Sequence, residues 1–194
     1  MINTKSLLLI TGISFSVLLT GCSDVISAGR QDPIKEDPGH RTVGSYIDDE
    51  VVETLAMVNL AKGSEQMEAS NVSVTSYNGV VLLTGQAPSE SARSEAEQIV
   101  SQVRKVRKIH NEIKISGISS AIARTNDTWL TTKVKAQLLT DESVDGARIK
   151  VVTDSSTVYL MGLVNTQEAD TAVSIVRGIP GVEKIVKVFE YVNR

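Results

Sequence analysis

A chain of 194 residues has room for one or two small domains, and a net charge of −3 gives it no general basic field with which to hold nucleic acid. Its apolar and charged fractions, 41% and 22%, are those of an ordinary globular protein and exclude bulk disorder. Any anion binding must therefore come from a local patch.

The chain opens with "MINTKSLLLITGISFSVLLTGC". Lys5 supplies a short positive region and Leu7 to Leu19 a mostly apolar one, so residues 1–21 read as an export signal, too short and wrongly flanked for a membrane span. The single cysteine, Cys22, would be an unpaired thiol in an exported protein and needs another use. Leu19, Thr20, Gly21 and Cys22 resemble the bacterial lipobox. That resemblance implies acylation of Cys22, palmitate included, with cleavage before it. Each buried CH₂ contributes about 0.8 kcal/mol, so several acyl chains anchor permanently. Ser23, rather than Asp, follows the cysteine, which by resemblance to the enteric sorting rule implies the outer membrane.

Residues 22–45 combine Gly, Ser, two prolines and mixed charge without apolar periodicity. They cannot bury enough surface to offset ordering and read as a flexible tether, with folded structure starting near Tyr46.

Beyond the tether the chain repeats itself. "NVSVTSYNGVVLLTGQAPS" from Asn71 superimposes without a gap on "RIKVVTDSSTVYLMGLVNT" from Arg148, setting Val74 on Val151, Val81 on Val158, Leu83 on Leu160 and Gly85 on Gly162. Upstream, Asp49, Val52, Ala56 and Leu60 match Asp127, Leu130, Val134 and Leu138. The chain is a tandem duplication, with copies at 46–116 and 125–194 joined by a linker at 117–124.

Each copy reads helix, strand, strand, helix, strand. The first helix is expected to open at Asp49 or Asp127 as N-cap. A hairpin turns at Asn78-Gly79 in copy one and within "TDSST" in copy two, where the turn chemistry is poorer. Ser89 or Thr166 should cap the second helix, and "KIHNEIKI" and "KIVKVFEY" form the third strand. Two helices on one face of a three-stranded sheet make an α+β fold, and so small a module gains from packing against its twin.

In "NDTWLTTKVKAQLL" the buried stripe is Leu130, Val134 and Leu138. Trp129, Thr132, Ala136 and Leu139 fall on the opposite face, with Lys133 and Lys135 toward its flanks. Such a tryptophan suits a lipid–water interface, and lysines can reach phosphates. Packing of Trp129 on copy one is the competing reading. Copy one has a comparable outer set, Val51, Thr54, Val58 and Ala61, without aromatic or lysine; it reads as inter-module packing.

The Asp-led first helices, the "VTSYNGVVLLTG" and "VTDSSTVYLMG" hairpins and the closing "GVEKI" resemble the BON domain (bacterial OsmY and nodulation). With a lipobox ahead of two copies, the whole chain is similar to dual-BON lipoproteins of the bacterial outer membrane. The resemblance implies a lipid-anchored protein on the periplasmic face. Its second module would bind anionic phospholipid of the phosphatidylglycerol type, through Trp129, Thr132, Lys133, Lys135, Ala136 and Leu139. It also implies support of envelope integrity and of the outer-membrane protein assembly machinery. Copy one has "VRKVRKI" where copy two has the Gly of "IPGVEKI", and no lipid role extends to it.

Little else suggests chemistry. "RKVRK", Arg104 to Lys108, carries four charges in five residues and could attract phosphate, but its first reading is a solvated turn between helix and strand. His40 and His110 are the only histidines, far apart in sequence and one of them in the tether, which gives little support to a metal site or catalytic dyad, and the carboxylates around Asp49 suit a helix start. No phosphate loop follows a strand. Neither cofactor nor metal is expected, and the reading is a non-catalytic binding protein. Its alternative is a periplasmic scaffold using the same helix for an assembly or division partner.

Overall fold

The computed structural model describes residues 39–117 and 120–193. The signal segment, Cys22 and the tether as far as residue 38 lie outside the described residues. Module one runs α1 (Val43–Leu60), a short turn of helix α2 (Glu65–Glu68), β1 (Asn71–Tyr77), β2 (Val80–Ala87), α3 (Glu90–Ser101), β3 (Lys108–Asn111) and β4 (Lys114–Ile115). Module two runs α4 (Ala121–Thr140), a 3-10 turn (Gly146–Arg148), β5 (Lys150–Asp154), β6 (Thr157–Val164), α5 (Thr166–Arg177) and β7 (Lys184–Tyr191). Both modules have the expected α+β order.

In each sheet the second strand is central. It pairs antiparallel with the first and parallel with the third, with Val81 opposite Ile109 and Val158 opposite Ile185. "KIHNEIKI" divides into β3 and β4, both paired to β2. At Gly85 the backbone takes φ +113°, and a Cβ would stand 1.9 Å from the Asn71 carbonyl oxygen, so only glycine fits.

Three helix boundaries depart from the sequence reading. Thr42 caps α1, accepting the Ser45 amide at 3.1 Å, so residues 43–45, read as tether, are helical. Ser120 caps α4, and residues 121–124, read as linker, form its first turn. Gly44 and Ser45 are weak helix formers, and the paired serines at 119–120 suggest a loop, which disguised both starts. Ser89 caps α3 as expected, whereas α5 is capped by Asn165, one residue before Thr166, in a reciprocal capping box with Glu168.

The larger departure lies between the modules. One apolar core joins α1 and α3 to the first sheet, through Val52, Ala56, Val81, Leu83 and Val100. A second joins α4 and α5 to the other sheet, through Leu130, Val134, Leu160 and Val176. The third, made by Tyr77, Val80, Leu82, Tyr159, Met161, Leu163 and Val188, lies between the two sheets. The modules pack sheet to sheet, and the helices form the outer layers. Val51 and Val58 are consequently exposed, and the expectation that they pack between modules is overturned.

A polar rim surrounds the inter-sheet core. Lys150 Nζ reaches Glu53 at 2.8 Å and the Ser76 carbonyl at 3.2 Å. Tyr77 donates its hydroxyl to the Arg148 carbonyl at 2.8 Å, Asn78 donates to Glu190 at 2.9 Å, and Lys114 pairs with Asp154 at 3.2 Å. These bonds set which residues of the two sheets meet.

Candidate functional site

The orientation of α4 follows from what it anchors. Leu130, Val134 and Leu138 are buried against the second sheet. Asp127, on the same side, is no N-cap but the seventh residue of the helix: its carboxylate accepts the Ser155 amide at 2.8 Å and the Ser156 amide at 2.9 Å. Thr131 adds a hydroxyl bond to Thr153 at 2.8 Å. With that side committed, the opposite face turns to solvent.

On it Trp129 is 56% exposed and Leu139 63%. Thr132, Lys135 and Ala136 are exposed as well, and Lys133 is half-buried. Lys133 lies with its ammonium 4.8 Å from the Trp129 ring centroid, a cation–π contact that holds both groups on one patch. The six residues named from the sequence for α4 thus share one open surface, and Trp129 does not pack into module one. Among the described residues no helix is long and apolar enough to cross a membrane.

Module one repeats the anchor with more bonds. Asp49, also inside its helix, accepts from the Asn78 amide at 2.7 Å, the Gly79 amide at 2.9 Å and the Ser76 hydroxyl at 2.6 Å. Arg41 pairs with the same carboxylate at 2.8 Å while its guanidinium lies 4.0 Å from the Tyr77 ring centroid. Burial alone would raise the Asp49 carboxyl, but Ser76, the two amides and Arg41 together hold it below its ordinary value. Sequence spacing put both aspartates at helix starts because acidic caps are common. Their true partners lie across the fold in the hairpin turn.

The basic run is divided. Lys105 pairs with Asp48 at 3.2 Å and Arg107 with Glu190 of module two. Lys105 also adopts φ 73°, where module two has Gly181 at φ 98°. His110 sits half-buried on β3, held below its usual value by burial and by Lys108, with Glu112 opposing. Among the described residues no three His, Cys, Asp or Glu side chains come together to hold a metal.

The chain thus duplicates a helix-strand-strand-helix-strand unit, and each copy clamps its hairpin with a helical aspartate. The BON domain family model matches residues 48–117 and 126–193, and the chain belongs to the BON domain family. It is similar to the "Outer membrane lipoprotein DolP" of Haemophilus influenzae, 32% identical over 97% of both chains. The "21 kDa hemolysin" of Actinobacillus pleuropneumoniae is 37% identical over 79% of each. The "Osmotically-inducible protein Y" of Escherichia coli is 27% identical over 78% of this chain and 76% of the relative.

Proposed function

We propose that this is a non-catalytic lipoprotein of the outer membrane, anchored at Cys22 on the periplasmic face, whose second module binds anionic phospholipid through α4. A single observation carries the lipid reading: the exposed Trp129 stands beside Lys133 on a solvent-facing helix stripe whose other flank carries the exposed Lys135. Inserting Trp129 and Leu139 among acyl chains removes apolar surface from water worth on the order of 3 kcal/mol. Each lysine near an anionic surface adds about 1 kcal/mol. The sum corresponds to weak contact in solution, on the order of 100 μM, which suffices for a protein already held at the membrane. In this reading the acyl chains localise the protein and α4 recognises the headgroups, in support of envelope integrity and outer-membrane protein assembly. The similarity to DolP across nearly the whole chain supports the placement.

Trp129 is the only tryptophan, so its fluorescence reports the contact directly. Phosphatidylglycerol vesicles should shift its emission to the blue and float residues 37–194 in a gradient, whereas phosphatidylcholine vesicles should do neither. Trp129→Glu should not float, and 0.5 M salt should weaken the parent by screening the lysines. Equal flotation of Trp129→Glu and parent would end the lipid reading. Acyl labelling of the full chain should be lost in Cys22→Ala; an unlabelled parent would refute the anchor.

A further inference from the structure

Among the described residues, α1 exposes more large apolar side chains than the tryptophan helix does. Val43, Ile47, Val51, Leu55 and Val58 are each at least 45% exposed and follow one another along a single face. Among the described residues the modules meet through their sheets, which leaves this face outside the contact between them.

Charge distinguishes the two outer helices. From Val43 to Leu60, α1 carries Asp48, Asp49, Glu50 and Glu53 and no cation. At 100° per residue its apolar stripe has Asp48 about 80° to one side and Glu50 about 80° to the other. On α4 the stripe of Trp129, Thr132, Ala136 and Leu139 is flanked at about the same angles by Lys133 and Lys135. The repeat sets Leu55 and Met57 where α4 has these lysines. Asp48 also reaches Lys105, but both side chains are largely exposed and solvent screens the pair. An acid-flanked face is repelled by anionic lipid and complements a lysine-flanked one.

We propose that the α1 face of one copy docks on the α4 face of a second copy. The three cores order the body as helices, sheet, sheet, helices, so the two stripes look out from opposite layers. Docking one on the other satisfies both at the contact and leaves one of each at the ends. The contact is heterologous and builds an open row rather than a closed pair. Pairing two helix faces buries less than the roughly 1,200 Å² of stable complexes, so the row is weak in solution, and anionic lipid, which takes the same α4 face in the proposed function, competes with it.

Residues 37–194 form one compact unit that closes its own cores, and they serve for the test. In sedimentation velocity from about 20 μM to 1 mM, a range suited to a sub-standard interface, the parent's coefficient should rise continuously without a plateau at dimer. Val51→Glu alone and Trp129→Glu alone should each remain monomeric. Their equimolar mixture should form a 1:1 dimer and stop there, since each variant retains the face that the other lacks. A parent monomeric throughout overturns the proposal. So does association retained by Trp129→Glu, which would mean α1 against α1, or by Val51→Glu, which would mean α4 against α4. Flotation of Trp129→Glu on phosphatidylcholine vesicles, abolished by adding Val51→Glu, would make α1 a lipid surface and overturn it too. Lipid binding by α4 is scored separately, so either reading can fail alone.

Discussion

Asp49 and Gly79 stand thirty positions apart, yet the aspartate's Oδ1 accepts the Gly79 amide at 2.9 Å and locks the first hairpin to the first helix. Both central turn residues, Asn78 and Gly79, have positive φ, and their two N–H groups meet one carboxylate. Removing that carboxylate strands two amides, a hydroxyl and the Arg41 guanidinium. Asp49→Ala is expected to cost about 3 kcal/mol of stability, and Asp127→Ala, with two amide partners, about 2 kcal/mol. Urea titration of each variant against the parent checks both values.

The same bonds predict an acid response. A carboxyl held below its ordinary value in the folded state contributes stability that is complete above the unfolded value and lost as pH falls through the folded one. For Asp49 the loss therefore begins as pH drops below about 4. His110, depressed by burial, acts in the same direction and begins earlier, below about 6.5. Urea midpoints measured from pH 7 to 3 should fall, and Asp49→Asn should flatten the portion below pH 4.

The second hairpin turns on Ser155 and Ser156, both at positive φ, where module one uses Asn-Gly. Two non-glycine residues in the left-handed region are strained, and the two Asp127 bonds offset it. Ser155→Asn combined with Ser156→Gly should stabilise the protein by about 1 kcal/mol, seen as a higher Tm in a calorimetric scan.

Gly85 allows no side chain. A methyl group there would meet the Asn71 carbonyl at 1.9 Å on a backbone at φ +113°, so β1 would have to move off β2. Gly85→Ala is expected to cost more than about 3 kcal/mol. Gly162→Ala, with its nearest backbone atom 2.9 Å away, should cost less. Thermal melts of the two variants side by side decide this.

Between the sheets, Leu82 is fully buried among Tyr77, Tyr159 and Met161. A charge at that position has no partner, and Leu82→Asp should cost at least about 4 kcal/mol or part the modules. Small-angle scattering should report an enlarged radius of gyration, while Trp129→Glu, at an exposed position, should stay within about 0.5 kcal/mol of the parent.

The sequence by itself determined the duplication, the order of elements and the buried stripe of each first helix, because helical and strand periodicities are local properties of the chain. Leu130, Val134 and Leu138 could be named from spacing alone, and with them the outward direction of Trp129. The sheet-to-sheet contact had one legible sign. "VVLL" in β2 and "VYLM" in β6 are unbroken apolar runs, as a strand buried on both faces requires. Read as ordinary hairpin strands, they left Val51 and Val58 to explain the pairing of the modules. Tertiary structure reversed that assignment, since which of two apolar surfaces a module buries depends on area and shape that no short window contains. It also moved Asp49 and Asp127 from helix caps to hairpin clamps. A carboxylate bonds whichever amides the fold brings within 3 Å, and that choice is made only when helix and turn meet.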